Sequence, residues 1–231
     1  MEWVAPGAFY NSDELYDAPT ECPPHDAAVL DDVMQWVSKS DSARDDFILW
    51  LQFGPASAGK SIIAKKIAEI AADKHQLIAS FFFSRKSSTQ GTKDCLVATL
   101  AYQLALSIPD TRTHIEAAIE RDPLIFKKNI RTQIDTLLIQ PFQSAPTQVA
   151  PFPKLIIIDG IDECKDSRAQ VAILDAVSSS FTKHRLPIIF LVVSRPKPAL
   201  VAWFNSSEPL KSVHRHLVLD DTKEWHYPVF F

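Results

Sequence analysis

Glycine, cysteine and methionine are scarce in this chain of 231 residues, which contains 5, 3 and 2 of them, respectively. The cysteines Cys22, Cys95 and Cys164 are widely spaced, which argues against a disulfide framework and favours a reducing compartment, the cytoplasm. No apolar run approaches the roughly 18 residues of a membrane span. The first residues also lack the basic and apolar regions of a secretory signal, so we expect neither secretion nor a membrane partner.

Basic residues are not in excess either. The chain has 24 basic and 28 acidic residues, a net charge of −4, and no long basic run. This balance argues against non-specific nucleic-acid binding, so nucleic acid is not expected as a partner. The hydrophobic content of 46% allows a sizeable core, and the length suits one large α/β domain or one domain with appendages.

Two of the five glycines lie in a single octapeptide, Gly54-Pro55-Ala56-Ser57-Ala58-Gly59-Lys60-Ser61. It matches the phosphate-loop pattern G-x-x-x-x-G-K-[ST] at every fixed position, between a predicted buried strand, Phe47–Phe53, and a predicted helix, Ser61–Lys74. Backbone N–H groups at the start of such a helix form an anion cradle. We therefore predict that all eight residues bind nucleotide, with Lys60 reaching the β- and γ-phosphates and Ser61 ligating Mg²⁺.

An acidic segment follows the apolar run Lys154–Asp159, which is typical of a parallel strand buried on both faces. Such a strand carries Asp159 to the sheet edge, where it would bind Mg²⁺ directly or through water. Asp162 and Glu163 follow within a turn, and one of them could polarise a water for attack on the γ-phosphate. The alternative is that the three acids form a solvated loop.

Arg195 stands in a similar position, after the apolar run Pro187–Ser194. A cation at that strand end could sense the γ-phosphate or stabilise its transition state, although a surface arginine capping a strand end remains the alternative. Arg85, after a run of three phenylalanines, is a weaker instance of the same pattern.

Apolar runs and helical periods alternate along the rest of the chain. The other predicted strands are Leu77–Phe83 and His216–Leu219. The other predicted helices begin after Asp26 and cover Asp94–Ser107, Thr111–Arg121, Ile130–Ile139, Ser167–Lys183 and Pro198–Asn205. This alternation predicts an α/β fold with a mainly parallel sheet between helical layers and ligands at the carboxyl ends of the strands. Residues 1–25 contain four prolines and are predicted to be an extended arm.

Several segments together resemble the NACHT-type nucleoside triphosphatases of the STAND class, and most of all the fungal proteins with a nephrocystin-3-like N-terminal domain. The resemblance covers roughly residues 7–220. Its matching segments are residues 7–12, 54–61, 79–85, 99–105, 119–126, 156–164 and 193–196.

The resemblance implies a P-loop NTPase fold with five strands in the order 5-1-4-3-2. It also implies that Asp159 is the metal carboxylate, that Asp162 and Glu163 are the acidic pair, and that Arg195 is the sensor. The predicted catalytic residues are therefore Lys60, Asp162, Glu163 and Arg195. ATP or GTP with Mg²⁺ would then drive a signalling switch of the kind found in innate immunity, with slow turnover and self-association through the NTPase core. By comparison with the family, residues 26–221 are predicted to form the NTPase core and residues 222–231 an atypical tail. The family's helical, winged-helix and repeat modules are not expected in this chain.

Two other functions remain open. The chain could be a scaffold module that binds nucleotide without catalysis, or a small-molecule kinase, since kinases also use a phosphate loop. A Ras-like GTPase is disfavoured because the chain has no Asn-Lys-x-Asp guanine motif. Nothing in the sequence distinguishes adenine from guanine.

Overall fold

The computed structural model describes residues 2–15, 27–39, 46–54, 60–145, 154–206 and 214–219, together with the backbone of 225–226. Within these residues all strands belong to one sheet. The strands are β1 (Ile48–Phe53), β2 (Leu77–Phe82), β3 (Lys154–Asp159), β4 (Ile188–Ser194), β5 (His214–Leu219) and β6 (Trp225–His226).

The strands lie in the order β2-β3-β4-β1-β5-β6. The first five are parallel, and β6 is a two-residue antiparallel addition next to β5. Read from the other edge, the five parallel strands have the predicted order 5-1-4-3-2. The prediction of an α/β fold with a mainly parallel five-stranded sheet is therefore confirmed, and β6 is the strand that it missed.

Helices cover both faces of the sheet. They are α1 (Ala27–Ser38), α2 (Lys60–Asp73), α3 (Leu96–Ser107), α4 (Arg112–Arg121), α5 (Ile130–Ile134), α6 (Gln140–Ser144), α7 (Ser167–His184) and α8 (Pro198–Phe204). A π-helical segment, Asp135–Ile139, joins α5 to α6, so the helix runs five residues past its predicted end at Ile139. No described helix is long and apolar enough to cross a membrane.

Neighbouring residues of a strand point to opposite faces, and in β3 both faces are apolar. Ile156 and Ile158 pack with α3 to α8 in one core, whereas Leu155 and Ile157 pack with α1 and α2 in the other. This double burial explains why the strand reads as a continuous apolar run instead of alternating. The polar residue Asp159 lies at the carboxyl end of β3. It therefore lies at the edge of the sheet where the parallel strands end, which is called the rim below.

The predicted N-terminal arm packs against the sheet in its described part, residues 2–15. The backbone N–H of Tyr10 donates to Ser80 Oγ of β2, and that of Ala5 donates to Thr99 Oγ1 of α3. Two short 3-10 turns, Pro6–Ala8 and Asp13–Leu15, interrupt the segment.

Candidate functional site

The phosphate-loop sequence joins β1 to α2, as predicted. Gly54 follows β1, and its N–H donates to the carbonyl of Leu219 in β5 (2.9 Å). Lys60 is the first residue of α2. The loop between them, Pro55, Ala56, Ser57, Ala58 and Gly59, lies outside the described residues. Their predicted contacts with phosphate therefore stay predictions, and the site is built from the residues that flank them.

Ser61 and Asp159 join the start of α2 to the end of β3. Ser61 Oγ donates a hydrogen bond of 2.6 Å to Asp159 Oδ2. The Asp159 side chain is buried, and its Oδ1 has no hydrogen-bond partner within the described residues. Burial raises the pKa of Asp159, and the charge of Lys60 and the hydrogen bond from Ser61 offset this only in part.

A hydroxyl beside a buried carboxylate oxygen without a partner is a donor set that suits Mg²⁺. This cation binds few protein oxygens and completes its octahedron with water and phosphate oxygens. No group of three or more His, Cys, Asp or Glu residues able to hold a metal occurs in the described part of the chain. The Ser61 and Asp159 pair therefore fits a metal that is shared with a ligand, and does not fit a metal held by protein alone.

The acidic pair lies in a 3-10 turn, Ile161–Glu163, directly after β3. Asp162 is buried, and its Oδ1 lies 3.7 Å from Lys60 Nζ and accepts the backbone N–H of Arg195 at 3.2 Å. Glu163 is a quarter exposed, and its Oε1 lies 3.0 Å from Lys60 Nζ. The two carboxylates thus both face the lysine of the phosphate loop.

Gly160 makes this close approach sterically feasible. It adopts a left-handed conformation with φ of 70°, which favours glycine. A Cβ atom at this position would lie 2.9 Å from Lys60 Nζ and 3.2 Å from the carbonyl oxygen of Phe83. The missing side chain therefore leaves the space that the Lys60 amine occupies.

Lys60 is 5% exposed, and its amine lies 3.0 Å from Glu163 Oε1 and 3.7 Å from Asp162 Oδ1. Burial lowers the pKa of Lys60, but the three carboxylates at this rim raise it by more, so it lies above its ordinary value. The amine is consequently charged at neutral pH. A ligand that binds this amine must therefore supply strong acceptor oxygens that replace the carboxylates.

Arg195 reaches the same rim from the end of β4. Its Nη1 lies 3.8 Å from Asp162 Oδ2 and 3.9 Å from Glu163 Oε1, and its side chain is about one-third exposed. The neighbouring residue Ser194 is buried, and its Oγ accepts a hydrogen bond from Trp50 Nε1 (2.9 Å). The arginine is therefore ion-paired with both acids and does not simply cap the strand on the surface.

Two further residues position the 3-10 turn Ile161–Glu163. The sequence indicated one of them, Arg85, only weakly and did not indicate the other, Gln170. Arg85 Nη2 donates to the carbonyl of Asp162 (2.8 Å). Gln170, in the first turns of α7, is buried and donates from Nε2 to the carbonyl of Cys164 (2.9 Å). Arg85 carried a weak signal as a cation after an apolar run, whereas a glutamine inside a helix carries none.

Fold and site together define an α/β domain of the P-loop NTPase kind. The family model described as Nephrocystin 3, N-terminal matches residues 29–195, which is more than half of the chain. The chain therefore belongs to this family. No curated protein shows significant sequence similarity to it.

Two solved structures share the fold. One is of Drosophila ORC bound to DNA, with 14% sequence identity and a TM-score of 0.50. The aligned region covers 85% of the present chain and 30% of the ORC chain. The other is of Drosophila ORC bound to poly(dA/dT) DNA and Cdc6, with 14% sequence identity and a TM-score of 0.51. Here the aligned region covers 84% of the present chain and 28% of the matched chain. This chain thus spans less than a third of either protein.

The expectation that nucleic acid is not a partner was wrong. It rested on net charge and on the lack of a basic run, but both of these similar structures were solved with DNA bound. Overall composition does not report on the local surface through which a domain of this fold contacts a polyanion, so it cannot exclude such a contact.

Proposed function

We propose that the chain binds ATP or GTP with Mg²⁺ and hydrolyses it slowly, as the nucleotide-binding core of a NACHT-like signalling switch of the STAND class. One observation carries the proposal: the Ser61 hydroxyl bonds the buried Asp159 carboxylate, while the adjacent Lys60 amine faces Glu163. These groups come from the two elements that the phosphate-loop and acidic motifs predict, and they meet at one rim. Ser61 and Asp159 would hold Mg²⁺, which neutralises phosphate charge.

The residues of the chain then have separate tasks. Lys60 is charged and exchanges its carboxylate neighbours for phosphate oxygens when a triphosphate binds. This exchange frees Glu163 to accept a proton from the attacking water, with Asp162 holding the turn through the backbone N–H of Arg195. The Arg195 guanidinium, which is partly exposed at the rim, stabilises charge that develops on the γ-phosphate.

Binding without turnover is the second candidate, and one observation favours it. Both acids are already ion-paired with Lys60 and Arg195, so neither is a free base in this conformation. If these pairs persisted in the complex, the chain would hold nucleotide as a scaffold. We also propose that the chain self-associates through the NTPase core and is located in the cytoplasm. Neither property distinguishes hydrolysis from binding without turnover.

Calorimetric titration with ATP, ADP, GTP and GDP, with and without Mg²⁺, tests the binding step. We expect Lys60→Ala to abolish binding and Lys66→Ala to leave it unchanged, since Lys66 is an exposed lysine of the same helix. Circular dichroism of both variants controls for folding. If the wild type binds none of the four nucleotides, the proposal is overturned. A DNA duplex belongs in the same titration, because composition no longer excludes it.

A further inference from the structure

A second cavity, of about 610 Å³, lies beyond the carboxyl ends of β2, β3 and β4. Arg85, Lys165 and Lys197 contribute to its wall, one after each strand. Neither Lys60 nor Ser61 lines it. Its volume falls within the roughly 300–1,000 Å³ of small-molecule sites.

Asp162 separates this cavity from the proposed nucleotide site. Its backbone carbonyl accepts the hydrogen bond from Arg85 of the cavity wall. Its carboxylate points the other way, to Lys60 at 3.7 Å and Arg195 at 3.8 Å. The two sites therefore share Asp162. Its backbone carbonyl faces the cavity, and its carboxylate faces the proposed nucleotide site.

The cavity wall has an excess of positive charge. Asp162 is the only acidic residue among the described residues that line the cavity, and its carboxylate is 1% exposed and already paired. Asp166 is close in sequence, but its Oδ1 caps α7 by accepting the N–H of Arg168 at 2.9 Å. Within the described part of the chain, three cations thus line the cavity without an exposed acid beside them, which favours an anionic ligand over a cationic one.

We propose that this cavity binds a small phosphate ester. A phosphate monoester carries a charge of about −1.5 to −2 at neutral pH and three acceptor oxygens, so it compensates more of this wall than a monocarboxylate would. The guanidinium of Arg85 keeps further donors beyond the one used on Asp162, and arginine recognises phosphate through several N–H groups at once. The two lysines add charge without fixed geometry.

Gln170 supports an ester with hydroxyl groups over inorganic phosphate. This side chain is 5% exposed and is fixed by its Nε2 bond to the carbonyl of Cys164. Its Oε1 has no hydrogen-bond partner in the part of the chain that the structure describes. A buried acceptor without a partner costs free energy, and a ligand hydroxyl that donates to it would remove that cost.

Calorimetry with glycerol 3-phosphate as the probe tests the proposal on the full chain, with ADP and Mg²⁺ at saturation to fill the phosphate loop. We expect binding that weakens at least tenfold in the double variant Lys165→Glu/Lys197→Glu. The control is Lys74→Glu, which reverses one charge at an exposed lysine just after α2 and should leave the affinity unchanged. Inorganic phosphate should bind more weakly than the ester, and succinate more weakly still.

Several outcomes would overturn the proposal. These are no binding of the probe at millimolar concentration, equal weakening by Lys74→Glu, or equal binding of succinate. Failure here is distinguishable from failure of the proposed function. The double variant should still bind ADP, and Lys60→Ala, once shown to be folded, should still bind glycerol 3-phosphate while it loses ADP.

Discussion

The amine of Lys60 lies 3.0 Å from Oε1 of Glu163, so the proposed phosphate-binding cation is paired with the proposed base. In this arrangement each group balances the charge of the other. A ligand that takes the amine must release the carboxylate, so this contact couples nucleotide binding to readiness for hydrolysis. The predictions below test this arrangement and the fold that holds it.

Glu163→Gln should separate binding from turnover. Removing a well-placed general base typically slows catalysis by about 10²–10⁴-fold. Nucleotide affinity should stay the same or rise, because the amide competes less well for the Lys60 amine. Single-turnover release of phosphate and calorimetry measure the two effects. The control is Glu116→Gln, which removes an exposed carboxylate paired with Arg112 on α4. Turnover that is measurable and equal in the wild type and Glu163→Gln would contradict the role of Glu163 as the base, whereas phosphate release at background in both, with nucleotide still bound, would favour the scaffold candidate.

Asp159→Asn should stabilise the nucleotide-free protein while removing the Mg²⁺ dependence of nucleotide binding. The pKa of Asp159 is raised by burial, so the folded state binds a proton more tightly than the unfolded state. Stability is therefore lost as pH rises from the ordinary aspartate pKa through the raised one, and a neutral amide escapes that loss.

We expect a gain of about 1 kcal/mol in the free energy of unfolding at neutral pH, which shrinks as the pH is lowered. Urea denaturation between pH 5 and 8, without Mg²⁺, measures it. A variant that is less stable than the wild type across this range, or a difference that grows toward acid, would show that the Asp159 charge is not a cost to folding.

Gly160→Ala should weaken both stability and nucleotide binding. A left-handed alanine costs about 1–2 kcal/mol, and its Cβ would press on Lys60 Nζ at 2.9 Å. Gly160→Asn separates the two causes, because asparagine tolerates this backbone conformation but keeps the Cβ atom. We expect Asn to recover part of the stability in thermal unfolding and none of the affinity. Full recovery of affinity would mean that the space beside Lys60 is not needed.

Gln103→Leu should expose the outer edge of the sheet. Gln103 of α3 accepts the N–H of Ser80 at 3.1 Å and donates to its carbonyl at 2.8 Å, so it occupies edge groups that would otherwise pair with another strand. We expect a loss of about 1–3 kcal/mol in the free energy of unfolding and a concentration-dependent increase in mass. Denaturation and light scattering measure these effects, and Gln143→Leu, which replaces an exposed glutamine of α6, is the control. A monomer of unchanged stability would contradict the role of Gln103.

Elements with a strong local signal were predicted closely. The bounds of β3 are those predicted, and α2, α3 and α7 differ from prediction by no more than two residues at either end. Burial on both faces and helical periodicity are visible in sequence because they depend on residues a few positions apart. The phosphate-loop motif, matched at every fixed position, likewise predicted which elements flank the site.

Elements set by distant partners were predicted less well. His214 and Arg215 lie in β5, which was predicted to begin at His216. Pairing with β1 supplies their strand hydrogen bonds, and the ring of His216 stacks on Trp50 with centroids 4.1 Å apart. The residues around His216 in the sequence do not indicate that its ring will stack on a tryptophan more than 160 positions away. The contacts of residues 2–15 with Ser80 and Thr99 likewise join residues that are far apart in the sequence.

The sequence by itself determined the alternation of strands and helices, the phosphate-loop motif and the acidic strand end, because each depends on local pattern, whereas the strand order was implied by the family resemblance. Only the tertiary structure decided which charges meet. It paired Lys60 with Glu163, placed a hydrogen bond from Arg85 on the carbonyl of Asp162, and left Asp159 Oδ1 without a hydrogen-bond partner among the described residues. Electrostatic energies fall with distance and depend on burial, and neither quantity exists until the chain has folded.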